Sequence, residues 1–197
     1  MIFFHIVECI PLFYPHNNEI HLNQEGLIMK KSYLFILIGL ILIFIYFGIG
    51  IIDLGTHVIG YGLIYLGTYQ LNESRHHDSL MLAQSLTLGL LLFEVLQGGI
   101  LRVISQQAII AFLIVLLILA AKSLVFFLII KSEGDANESL TVQTYQQTDL
   151  LMSIGLIFLY VISCFIPSTT PLFGLMDFSL FAFLIYAFYH IRTMYRS

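Results

Sequence analysis

Glu94 stands inside the apolar run Leu80–Gln97, where a carboxyl group is far from bulk water. Gln84, Thr87 and Gly98 fall on roughly the same helical face, which would have to point at other protein rather than at lipid. A carboxyl held there can bind and release a proton as its surroundings change, and that is the chemistry of a proton-coupled carrier. The competing role is structural, as a side chain hydrogen-bonded to a neighbouring helix.

A second set of polar groups lies in Leu54–Leu71. His57, Tyr61, Tyr65 and Tyr69 recur every four residues, a stripe that drifts slowly around a helix. Imidazole and phenol tips along such a stripe could line a path, bind a headgroup or make interhelical hydrogen bonds. Gly55, Gly60, Gly62 and Gly67 lie between them, and small residues let membrane helices approach closely. This segment is therefore expected to be the packing hub of the fold.

Other candidate chemistry is thinner. His76-His77-Asp78 has donors that suit Zn²⁺, but adjacent histidines do not readily share one tetrahedral ion, and no metal or other cofactor is expected. No phosphate loop, dinucleotide fingerprint, nucleophile elbow or zincin motif occurs, so no catalytic residues are assigned and an enzyme is not expected. Cys9 and Cys164 do not make a disulfide framework. No basic domain is present to bind nucleic acid.

The elements that must hold these groups follow from composition. The 197-residue chain is 59% hydrophobic and only 10% charged, against roughly a quarter charged in a soluble domain. Too little polar surface exists to cover a water-soluble globule. A bilayer core needs about 20 apolar residues per helical crossing. Six blocks approach or meet that length, near residues 33–52, 54–71, 80–97, 108–130, 150–167 and 171–191. A transmembrane barrel would alternate in polarity instead. The expected fold is an all-α polytopic bundle of about six spans in contact with the lipid bilayer, with Tyr rather than the absent Trp anchoring its interfaces.

Basic residues orient the bundle. Lys30, Lys31, Arg75, Lys131, Arg192 and Arg196 all fall on one side of a six-span threading, and Arg102 falls on the other. The positive-inside rule then gives an N-in, C-in topology. Lys122, within the fourth block, is expected to snorkel toward the cytoplasmic face. Lys131–Thr148 is expected to be a polar cytoplasmic loop, and Asp53 and Asp177 to lie near the outer interface. Asp53-Leu54 leading to Ile59-Gly60 is echoed by Asp149-Leu150 leading to Ile154-Gly155, the kind of correspondence an inverted repeat would leave.

Residues 1–28 differ from the rest. They mix His5, His16 and His21 with Pro11, Pro15 and several Asn, without a period. Gln24-Glu25-Gly26 can be encoded by a purine-rich ribosome-binding sequence, and Met29-Lys30-Lys31 before an apolar run is a usual bacterial start. The stretch 1–28 is therefore expected to be non-native or disordered, with translation from Met29. The alternative is an amphipathic extension with Ile2–Leu12 in the interface. The apolar block after Lys31 is too long for a cleaved signal and no cleavage site follows it.

The segment Asp53–Gly67, with Ile59-Gly60-Tyr61 followed by Leu63-Ile64 and Gly67, resembles one found in small multi-pass membrane proteins of Gram-positive bacteria. Their pattern places Pro-Asp where this chain has Thr56-His57. The resemblance covers about fifteen residues and implies membrane location, with no activity attached. The leading expectation is thus a multi-pass, non-enzymatic protein of the bacterial plasma membrane, an accessory or interaction subunit in a homo-oligomer or larger membrane complex. The alternative is a small proton-coupled transporter or channel using Glu94, His57, Tyr61, Gln84 and Thr87.

Overall fold

In the computed structural model, residues 16–44, 50–104, 108–137 and 139–195 are described, with side chains described for 26–44, 55–96, 109–136 and 139–195. Six long helices account for nearly all of them: α1 His16–Phe44, α2 Gly50–Arg75, α3 Asp78–Ile104, α4 Ala108–Asn137, α5 Leu140–Phe165 and α6 Thr170–Met194. A single 3₁₀ turn, Pro167–Thr169, joins α5 to α6, and Pro171 opens α6 where its missing N–H costs nothing. Expectations resting on His5, Cys9, Pro11 and Pro15, on the 45–49 part of the first span, and on the side chains of His16, His21, Asp53, Gly98 and Arg102 lie outside the described residues.

Each helix packs on its neighbours in the chain, and α6 also packs on α1, so the six close into a ring. Neighbours run antiparallel. Gly39 meets Gly60 while Ser32 meets Gly67, and Phe44 stacks on Phe181 while Tyr33 stacks on Phe188. Five helical stretches, Gly26–Phe44, Asp78–Leu96, Ile109–Ala136, Leu140–Phe165 and Pro167–Met194, are long and apolar enough to cross a bilayer. Helix α2 has the length, but its glycines, tyrosines and threonines dilute its hydropathy.

The outer surface is apolar, unlike that of a water-soluble bundle, and some polar groups are buried. Large apolar side chains such as Ile59, Leu66, Leu92, Leu117, Leu151 and Leu175 are exposed, whereas Thr68, Thr87, Glu94, Ser132, Glu133 and Asp149 are buried. A surface of that kind is stable against lipid and would aggregate in water. This is a membrane protein, and its polar groups face the inside of the ring.

The α1–α2 seam explains two of the four glycines singled out in the sequence. A Cβ on Gly60 would lie 2.8 Å from Gly39 O, and one on Gly67 would lie 2.6 Å from Ser32 O. The seam repeats every seven residues on both helices, the spacing that keeps small residues at an antiparallel contact. Gly55 and Gly62 serve no such approach. A Cβ on Gly55 would meet nothing within 4 Å among the described residues, and one on Gly62 would only touch Leu91 at 3.9 Å.

Two boundaries differ from the sequence reading. Helix α1 reaches back to His16, so residues 16–28 are helical rather than disordered; no proline interrupts the backbone ladder between His16 and Phe44. The expected loop Lys131–Thr148 is also mostly helix, since α4 continues to Asn137 and α5 begins at Leu140. Of its charges, Glu133 finds its partners inside the bundle instead of in water.

Candidate functional site

Helices α2 and α3 bring most of the sequence-predicted groups together. His57 Nδ1 lies 3.7 Å from Glu94 Oε1, close enough to form an ion pair when the imidazole is protonated. Glu94 is 7% exposed. Tyr61, one turn along α2 from His57, is buried, and its hydroxyl has no hydrogen-bond partner among the described residues. Further along, Gln84 Nε2 donates to Tyr65 Oη at 3.3 Å, and Asn72 Nδ2 donates to Gln84 Oε1 at 3.5 Å. Thr87 is buried but bonds within its own helix, to Ala83 O at 2.7 Å. Tyr69 has drifted out of the interface and is exposed, stacked beside Tyr65.

Lys122 completes this group, against expectation. Its ammonium does not snorkel to the end of α4. It lies 5.7 Å from the Tyr61 ring centroid, over the ring face, and interacts electrostatically with Glu94 and Asp177. Side chains lean toward the N-terminus of their helix, so Lys122 reaches away from the Lys131 end of α4. The cation–π contact and two carboxylates hold it inside the ring. Asp177 on α6, expected at an interface, shares with Lys122 the lining of a cavity of about 130 Å³. Ser123 and Asp149 also border this cavity, and Leu40, Phe126, Leu156 and Phe181 supply apolar wall.

A second polar cluster, at the other end of the ring, was not foreseen. Glu133 of α4 is fully buried and lies with one oxygen 2.5 Å from Arg75 Nη1 at the end of α2. Tyr33 of α1 donates its hydroxyl to Glu133 Oε1. Tyr195, just past α6, donates to Glu133 Oε2 at 2.7 Å and accepts from Arg75. The Arg75 guanidinium also sits 5.7 Å from the Tyr195 ring centroid. Burial works against its charge, but Tyr33, Glu133 and Tyr195 outweigh that and hold its pKa above the ordinary value. This cluster ties four helices through a buried ion pair and two phenols. The sequence signal was only a lone Arg and a lone Glu in apparent loops.

No protein-family model, no curated protein and no solved structure matches this chain.

His76 and His77 form the tight turn between α2 and α3. His76 adopts a left-handed conformation (φ 49°) and donates its N–H to Asn72 O at 2.7 Å. His77 Nδ1 accepts the Ser79 N–H at 3.2 Å, and its Nε2 lies 3.4 Å from Asp135. These are turn and capping contacts. No group of three His, Cys, Asp or Glu side chains converges as metal ligands among the described residues.

The arrangement sets a carboxyl, an imidazole and an ammonium together inside the ring, groups that can each carry a proton. Ionisable side chains from α2, α3, α4 and α6 take part.

Proposed function

We propose that this chain is a bacterial plasma-membrane protein, crossing six times with both ends in the cytoplasm, that moves protons, or a small solute coupled to them, through its helix ring. The observation that carries this reading is the His57–Glu94 pair, 3.7 Å apart inside the ring, with Lys122 beside it. Ionisable groups at membrane depth are costly and are retained where they bind or relay charge. An accessory subunit working through its helix surfaces, alone or in a larger complex, requires none of them in the interior. In this reading the protein acts as a carrier.

The six-span reading is supported by α2. At 26 residues it is about 39 Å long, enough to cross a hydrocarbon core of about 30 Å. It lies between α1 and α3, with Ile59 and Leu66 turned outward and Tyr61 and Thr68 turned inward. The orientation rests on the basic residues, and the bacterial setting on the Ile59-Gly60-Tyr61 resemblance.

Flux in proteoliposomes tests the proposal. A pH gradient should drive proton movement with the wild-type protein, and Glu94→Gln should abolish it while leaving the folded protein abundant. Gradient dissipation equal to that of empty vesicles, or unchanged by Glu94→Gln, would overturn the carrier and leave the accessory role.

A further inference from the structure

Asp149 is the buried carboxylate that the His57–Glu94 pair leaves unused. None of its surface is exposed, and neither of its oxygens has a hydrogen-bond partner among the described residues. One turn further along α5, on the same face, Ser153 Oγ is also buried without a partner. Both side chains line a cavity between α4 and α5, and Ser123 of α4 lines it with them. Asp149 and Ser123 border the ring-interior cavity of about 130 Å³ as well.

The charged groups around this position do not answer it. Lys122 from α4 shares the interior cavity, but its charge acts on Glu94 of α3 and Asp177 of α6. Among the described residues, no charged side chain pairs with Asp149. A buried carboxylate with neither a counter-charge nor a hydrogen bond is among the most costly arrangements a protein can hold. Something that brings positive charge must complete it.

We propose that Asp149, Ser153 and Ser123 form a binding site for a small monovalent cation of the Na⁺ class in the wall between α4 and α5. The donors are all oxygen, which selects a hard cation over a soft one. One carboxylate balances one positive charge, and a divalent ion would leave a charge uncompensated in a poorly screening interior. A cation can be met by both Asp149 oxygens and the Ser153 hydroxyl oxygen together, without a proton on the carboxylate. Water occupies about 30 Å³ in the liquid, so the adjoining cavity has room for an ion with a few waters. The site is distinct from the His57–Glu94 pair and is read by binding rather than flux, so either reading can fail alone.

The experiment uses the purified protein in detergent, with NaCl titrated against choline chloride at constant ionic strength. Thermal unfolding and retention of radioactive sodium are followed together. Na⁺ should raise Tm saturably, by roughly 3–6 °C when in large excess. About one ion should be retained per chain, as a single-site linkage requires. Lower pH should weaken the apparent affinity, because protons compete for Asp149. Ser153→Ala should weaken binding by about tenfold, the loss of one oxygen ligand, and Asp149→Asn should abolish it. Should Asp149→Asn fail to fold, sodium retention by the wild type and by Ser153→Ala still decides the matter. Equal unfolding in Na⁺ and choline with no retained sodium overturns the proposal, and a response to pH alone makes Asp149 a protonated structural group. Sodium binding untouched by either substitution also overturns it, by placing the ion elsewhere.

Discussion

Arg75 and Glu133 form a buried ion pair, 2.5 Å between Nη1 and Oε1, although they come from the ends of two helices that are not neighbours in the ring. Tyr33 and Tyr195 donate their hydroxyls to the same carboxylate. The pair therefore crosses the interior and fastens α2 to α4, with α1 and α6 held through the phenols.

Removing Arg75 and Glu133 together should cost less than the two single removals added. Glu133→Ala or Arg75→Ala alone is expected to destabilise the fold by about 3–5 kcal/mol, since each leaves an uncompensated buried charge. The double substitution should cost clearly less than the sum, measured by unfolding in mixed micelles. The pH dependence follows from Arg75. Its folded pKa is raised, so the stability it contributes is fully present below its unfolded pKa and is lost only as pH rises through the still higher folded value. The difference between wild type and Arg75→Ala should therefore not fall between pH 7 and pH 9 through any loss of the Arg75 charge.

The glycine seam makes a sharper comparison. Gly60→Ala and Gly67→Ala push a methyl group into the backbone of α1 and should each cost about 1–3 kcal/mol. Gly55→Ala, with open space around its Cβ, should cost nothing measurable or stabilise slightly through helix propensity. Comparing the three unfolding midpoints separates close approach from general helix effects.

Lys122 should be chemically silent in the folded protein. Lodged against Tyr61 and drawn to Glu94 and Asp177, it should resist a membrane-impermeant amine reagent under conditions where Lys30 and Lys31 react. Mass spectrometry of the labelled protein reads this directly. Labelling of Lys122 at the rate of those two residues would place its ammonium at the interface.

The helical, membrane-embedded class was legible because it depends on bulk composition and on the length of apolar runs. The approach of His57 to Glu94 is not readable from spacing, yet Glu94 is visible as a polar group that has to face inward and His57 as the start of a polar stripe. Glu133 was hidden for a different reason. It sits in a stretch, Lys131–Asn137, as polar as any loop, and only Arg75, distant in sequence, makes its burial tolerable. Lys122 misled in the same way, since the local pattern fixed its depth but not which end of α4 its side chain would reach toward. Asp149 opens an apolar block, where an acidic residue reads as a boundary marker and not as an interior group.

The Glu133 cluster also constrains the order in which the fold can be completed during synthesis. Arg75 leaves the ribosome before Glu133, so the acidic side chain enters the bilayer with its counter-charge already in place. Tyr195 arrives last. A nascent chain halted after α5 would hold the carboxylate short of its Tyr195 bonds and the ring open between α1 and the missing α6. Closure of the ring and the last hydrogen bonds to Glu133 are therefore one event, and an incomplete polypeptide displays an unfinished polar end.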